Sequence, residues 1–160
     1  MLRLRLKNSA RWKTPGLMTR EVNRLTAEAV DEAGGGASDI VRGVLSLRGL
    51  VATRELWTSV RATYRQGNAD FYREGVQMRD YGLDLDTGTR PHWPNITRLA
   101  RWAVALGLPP EAVYPIALWI SRRGTRATHF LRDATRLFEH RAAQIRAALG
   151  RRIARALGGN

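Results

Sequence analysis

The apolar positions of this 160-residue chain change their period several times, and each change marks an element. At the start, Leu2, Leu4 and Leu6 alternate with Arg3, Arg5 and Lys7. A period of two with a charged outer row predicts an edge strand, and it lacks the continuous apolar core of a secretory signal. Thr14-Pro15 reads as a helix start, with proline tolerated in the first turn. Leu17, Met18, Val22, Leu25 and Ala29 then recur at helical spacing and predict a helix to about Glu32. The run Gly34-Gly35-Gly36 is expected to end that helix and form a flexible joint. Ser38 or Asp39 then caps a short helix through Ile40, Val41, Val44 and Leu45.

From Glu55 the pattern shortens again. Leu56, Thr58, Val60, Ala62 and Tyr64 alternate with Trp57, Ser59, Arg61, Thr63 and Arg65, predicting a strand. Gly67-Asn68 supplies a turn, and Asp70 to Met78 returns as the partner strand of a hairpin. Tyr81 to Leu85 is expected to form a third strand leading into the loop Gly88-Thr89-Arg90-Pro91-His92-Trp93-Pro94. Beyond it the period is helical. Asn95 caps a helix with Ile96, Leu99, Trp102, Ala103 and Leu106 on one face, which Gly107 and Pro109-Pro110 stop. A second helix starts near Glu111, with Pro115 in or near its first turn and Gly124 as its C-terminal cap. The last runs from Thr128 to about Leu157, with Phe130, Ala134, Leu137, Phe138, Ile145, Leu149, Ile153 and Leu157 as its stripe; Gly150 leaves open one helix or two.

The sum is an α+β fold, a small antiparallel sheet of hairpin plus edge strands packed against several helices, with a long basic C-terminal helix. It is read as one domain over 1–160: an edge strand and basic arm over 1–13, an α+β core over 14–126, and a basic helical region over 127–160.

Charge changes this picture more than composition does. Hydrophobic residues at 44% and charged residues at 26% are ordinary for a globular chain. No apolar run approaches the roughly 20 residues of a membrane span, and the absence of cysteine removes disulfides and thiolate ligands. Lys+Arg 27 against Asp+Glu 14 leaves +13, and Lys7 and Lys13 are the only lysines. Between Arg122 and Arg155 stand ten arginines (122, 123, 126, 132, 136, 141, 146, 151, 152 and 155) against Asp133 and Glu139. Guanidinium groups grip phosphates bidentately, so a polyanion partner fits. Solvated helix faces in an arginine-preferring genome, or acidic neighbouring proteins, fit the same residues. No sequence-reading DNA motif is present, so any DNA contact is expected at phosphates and without sequence preference.

Catalytic chemistry finds little support. Asp80, Asp84 and Asp86 invite a magnesium-nuclease reading, and on an extended segment Asp84 and Asp86 point the same way. No third ligand or general base completes the pattern, which fits a solvated acidic strand edge. His92, His129 and His140 are too scattered for a metal site. Gly34-Gly35-Gly36 lacks the Lys and Ser/Thr of a nucleotide loop, and no nucleophile elbow is present. No enzyme, catalytic residue, metal or cofactor is predicted. Trp102 and Trp119 default to core or core-edge packing, Trp12 to docking, and Trp93 to cover by a partner or by the chain's own helices.

One set of short motifs points further. Tyr81, Asp86, Gly88-Thr89, Pro91, Trp102, Gly124-Thr125 and Phe130-Leu131, after Leu56-Trp57-Thr58-Ser59-Val60 as a first hairpin strand, resemble the tail-completion and neck proteins of long-tailed phages. The resemblance spans about residues 14 to 140. It departs where Leu50-Val51-Ala52-Thr53-Arg54 replaces the family's Pro-x-x-Thr-Gly turn, and the basic extension after His140 is longer than the motif requires.

The resemblance implies a structural virion protein at the head–tail junction, assembled in the host cytoplasm as a hexameric ring around the DNA path. The implied partners are further copies of the chain and neighbouring neck, tail-terminator, tail-tube or tape-measure proteins, with non-specific contact to packaged DNA and none to membrane. Tyr81, Asp84, Asp86, Gly88, Thr89, Arg90, Pro91, His92 and Trp93 are the expected assembly interface. Arg122, Arg123, Arg126, Arg132, Arg136, Arg151, Arg152 and Arg155 are the expected contacts to a polyanion or acidic partner. The alternative is a DNA-binding accessory protein without sequence preference.

Overall fold

A computed structural model describes residues 16–66 and 72–157. The expected strand over Leu2–Leu6, Trp12 and the turn Gly67-Asn68 lie outside the described residues. The elements, in chain order, are α1 (Gly16–Leu47), α2 (Glu55–Ser59), β1 (Arg61–Gln66), β2 (Tyr72–Gln77), α3 (Tyr81–Thr87), α4 (Ile96–Ala105), a 3-10 turn (Pro110–Ala112), α5 (Val113–Arg123) and α6 (Phe130–Ala156). The fold is α+β, with helices dominant and one antiparallel hairpin. Two compact units divide the chain: residues 1–40, 61–77 and 134–160 form the first, and residues 41–60 and 78–133 the second.

In the first unit, α1 and α6 pack through Leu25, Ala29 and Ala33 on one side and Phe138, Ala142, Ile145 and Leu149 on the other, with Ala37, Ile40 and Ile153 at the margin. The helices run antiparallel: Glu28 pairs with Arg152, while Arg141 pairs with Glu32 and lies beside Gly36. The expected break at Gly34-Gly35-Gly36 does not occur, and the short helix after it is the continuation of α1. Each glycine costs a helix roughly 1 kcal/mol against alanine. Ala33 and Ala37 bracket the run, however, and both are held in the core against α6. Tertiary burial thus outweighs propensity. Gly150 likewise leaves α6 a single helix. Leu137, expected in the stripe, is 53% exposed. The hairpin pairs Arg61 with Gln77 through Gln66 with Tyr72, and Thr63 Oγ1 donates to the Gly75 carbonyl at 3.1 Å.

Two strand expectations fail in the second unit. Glu55–Ser59 is helical and only the residues from Arg61 onward extend. Leu56 and Val60, both buried, stand four apart, so one helical turn places them together as well as alternation would. Arg54 turns the chain with φ 55°, and the Ser59 hydroxyl accepts the Arg79 amide at 3.1 Å. Tyr81–Thr87 is the helix α3 in place of a third strand. Gly82 is the reason it fits: a Cβ there would stand 2.6 Å from Met78 Sδ and 2.9 Å from Leu56 Cδ1. Arg42, on α1, donates to the Val60 carbonyl at 2.6 Å and stacks 5.3 Å from the Trp57 ring centroid.

Asn95 caps α4 as expected, its side chain accepting the Arg98 amide at 3.0 Å. The expected inward face of α4 is not inward, because only Ala103 is buried while Ile96, Trp102 and Leu106 are exposed. α4 meets α5 and the 3-10 turn along one line of a ten-residue helix, too narrow to cover the four large side chains beside Ala103. Trp119 is likewise exposed and does not join the core. Pro115 sits in the first turn of α5, and Gly124 ends that helix with φ 74°.

Candidate functional site

The two Gly-Thr segments, 36 residues apart in sequence, meet. Thr89 and Thr125 form an isolated antiparallel bridge, with Thr89 N–H donating to the Thr125 carbonyl at 3.2 Å and the reverse bond at 3.3 Å. Their hydroxyls lie 3.0 Å apart, and Thr89 Oγ1 also accepts the Thr125 amide at 3.0 Å. The glycines explain how the backbones come so close. Gly88 and Gly124 both hold φ 74°. A Cβ at Gly88 would stand 2.6 Å from the Thr125 carbonyl oxygen, and one at Gly124 would stand 1.9 Å from that of Thr89. Only glycine satisfies both the dihedral and the approach.

The same clasp is tied to the start of α6. Asp86 Oδ1 accepts the Leu131 amide at 2.8 Å and the Asp86 carbonyl accepts that of His129 at 2.9 Å. Thr128 donates its hydroxyl to the Leu85 carbonyl at 2.8 Å. A carboxylate over free amides at a helix N-terminus also meets the positive end of the helix dipole. Asp84 and Asp86 therefore do not point the same way, since residues two apart on a helix are turned about 200° from one another. Asp84 is exposed beside exposed Asp80 and Leu83, whereas Asp86 is half-buried and engaged. Tyr81 is half-buried; burial, then the Glu55 carboxylate, pushes its hydroxyl pKa up.

From the clasp the loop projects Arg90, Pro91, His92 and Trp93, all exposed. His92 Nδ1 lies 3.0 Å from the Arg90 carbonyl, bracing the bend. Trp93, 54% exposed, meets Tyr114 edge to face at 6.3 Å between centroids. Together they flank an open apolar groove of about 410 Å³, lined also by Ile96, Val104, Leu108 and Val113. Of the other groove residues, Ile96 was expected on the inward face of its helix, and none was expected to line a groove. Tyr114, 65% exposed, and Val104, 70% exposed, fall at helical positions that periodicity alone assigns to no partner.

The basic candidates separate into different settings. Arg122 and Arg123 end α5, and Arg126 follows the clasp, all three exposed. Arg132 is exposed with Asp133 at 3.9 Å, and Asp133 also accepts from Arg48. Arg152 is half-buried and neutralises Glu28, as Arg141 does Glu32. Arg136, Arg146, Arg151 and Arg155 are exposed and form no ion pair among the described residues. Among those residues no three His, Asp or Glu side chains gather where they could hold a metal ion, and no helix is long and apolar enough to cross a membrane. No protein-family model, curated protein or solved structure matches the chain.

Proposed function

We propose that this chain is a structural virion component at the head–tail junction of a tailed phage. There it would assemble with further copies in a ring around the DNA path and with neighbouring neck, terminator, tail-tube or tape-measure proteins. One observation carries the reading. The two Gly-Thr segments on which the family resemblance rests are clasped together, and the clasp presents an exposed tryptophan on a braced loop at the edge of an apolar groove. An exposed aromatic beside a preformed groove suits a protein partner, because such residues dominate interface energetics. Asp86, Gly88 and Thr89 serve this surface by fixing the loop, while Pro91, His92 and Trp93 are its contact residues.

Native mass spectrometry of the protein mixed with its neck and tail neighbours tests the reading. Ring-sized assemblies or hetero-complexes are expected, and Trp93→Ser should weaken them. Monomers alone in the presence of those neighbours would refute it.

A further inference from the structure

The solvent side of α6 is built differently from its other faces. At about 100° per residue, Arg136, Arg146, Arg151 and Arg155 fall within roughly half of the helix circumference, opposite the buried row of Phe138, Ala142, Ile145 and Leu149. Their acidic neighbour on that half is Glu139. The arginines nearer α1 are neutralised by Glu32 and Glu28. Down the middle of the outward half run Ala143, Ala147, Gly150 and Ala154, all exposed, and a Cβ at Gly150 would meet nothing within 4 Å. The result is a strip about 28 Å from Arg136 to Arg155, with Arg136 and His140 on or near its centre line at one end, small residues along the rest, Arg146 on one margin and Arg151 and Arg155 on the other.

We infer that this strip docks on the phosphate backbone of duplex nucleic acid, without reading its sequence. The partner follows from what the strip carries and lacks. A helix of about 10–12 Å diameter matches the roughly 12 Å major groove, and a small-residue centre lets it approach while arginines on both margins reach phosphates of the two strands. Single strands are gripped by stacking on large aromatic side chains, and the strip has no Phe, Tyr or Trp. An acidic protein surface would need apolar anchors for affinity, and the strip's centre beyond Arg136 and His140 is alanine and glycine. The one amide side chain on that half, Gln144, falls on the Arg151–Arg155 margin and not on the centre line that would face base edges. The inference stands on α6 alone and does not depend on the head–tail reading, so either can fail without the other.

The test is a fluorescence-anisotropy titration of the whole protein with a random-sequence 30-base-pair duplex over 50–200 mM salt. Contacts to about four phosphates contribute about 3–4 to the slope of log affinity against log salt, or roughly a hundredfold across that range. The variant Arg136→Gln/Arg146→Gln/Arg151→Gln/Arg155→Gln should lose that share of the slope and keep its far-UV circular dichroism. Arg122→Gln/Arg123→Gln/Arg126→Gln should keep the full slope. Comparing slopes between variants cancels the constant contribution of the basic residues before Pro15. Ala147→Glu, which removes no arginine, should weaken binding about tenfold or more, and supplies a second reading if the fourfold variant unfolds. An unchanged slope in the folded fourfold variant would overturn the inference, as would unchanged affinity in Ala147→Glu. Tighter binding of poly-glutamate or oligo-dT than of the duplex would reassign the strip to an acidic protein or a single strand.

Discussion

The clasp makes a quantitative demand on Gly124. Its φ of 74° and ψ of −163° lie where non-glycine residues pay about 1–3 kcal/mol in backbone strain. An alanine Cβ would also stand 1.9 Å from the Thr89 carbonyl oxygen, which is main chain and cannot swing aside. Relief requires the two segments to part, giving up the pair of backbone bonds at 3.2 and 3.3 Å, each worth about 1 kcal/mol net. Gly124→Ala should therefore cost about 3–5 kcal/mol in all. Gly107 is the internal control. Its φ is 71°, yet a Cβ there meets nothing within 4 Å, so Gly107→Ala should cost only the dihedral strain, about 1–2 kcal/mol. Four of the five tryptophans, Trp57, Trp93, Trp102 and Trp119, lie in the second unit, so tryptophan fluorescence in a Trp12→Phe background follows its unfolding. At roughly 2–4 °C per kcal/mol for a chain of this size, the Gly124 variant should melt about 5–10 °C below the Gly107 variant. Midpoints within 2 °C of each other would refute the claim that close approach, and not the dihedral alone, selects glycine at the clasp.

Asp86→Ala should destabilise the protein by about 1–2 kcal/mol through loss of the acceptor for the Leu131 amide; Asp86→Asn, which keeps an oxygen acceptor, should lose less than half of that in urea denaturation. Gly150→Ala should stabilise α6 by up to about 1 kcal/mol, since the site is helical and open, read as a raised thermal midpoint by circular dichroism. Burial raises the Tyr81 pKa, so the folded state holds this proton more tightly than the unfolded one. Its contribution is fully present below the unfolded value near 10 and is lost as pH rises through the higher folded pKa. Stability should fall above pH 10 less steeply in Tyr81→Phe than in the parent.

What the sequence made legible follows from how local the deciding interaction is. Asn95 and Gly124 were readable as caps because the cap bond or the positive φ acts within a few residues. The hairpin was readable because β-branched and aromatic alternation continued on both sides of a turn. The errors share another cause. Leu56 and Val60, like Tyr81 and Leu85, stand four apart within runs too short to separate a period of two from a helical turn, and Gly82 chose the helix only through its contact with Met78 and Leu56. The glycine run in α1 misled in the opposite sense. Its local cost is real, but Ala33, Ala37 and Ile40 recover it against a helix more than a hundred residues later, and no window of sequence holds both partners.

The site follows the same rule and shows its limit. Both Gly-Thr pairs were visible as motifs, and Gly124 as a helix cap, yet nothing in either segment specified the other as its partner. Their pairing converts two weak local signals into one constraint, because each glycine is required by the carbonyl of the opposite threonine. Asp86, expected on a solvated acidic edge, extends that constraint to the N-terminus of α6 and links two helices. The consequence for the loop is mechanical. Arg90 through Trp93 leave a point fixed by backbone bonds on one side and enter a capped helix at Asn95 on the other. In the proposed assembly Trp93 would therefore meet its partner at little further entropic cost, and on that reading loosening the clasp should weaken association before it unfolds the groove.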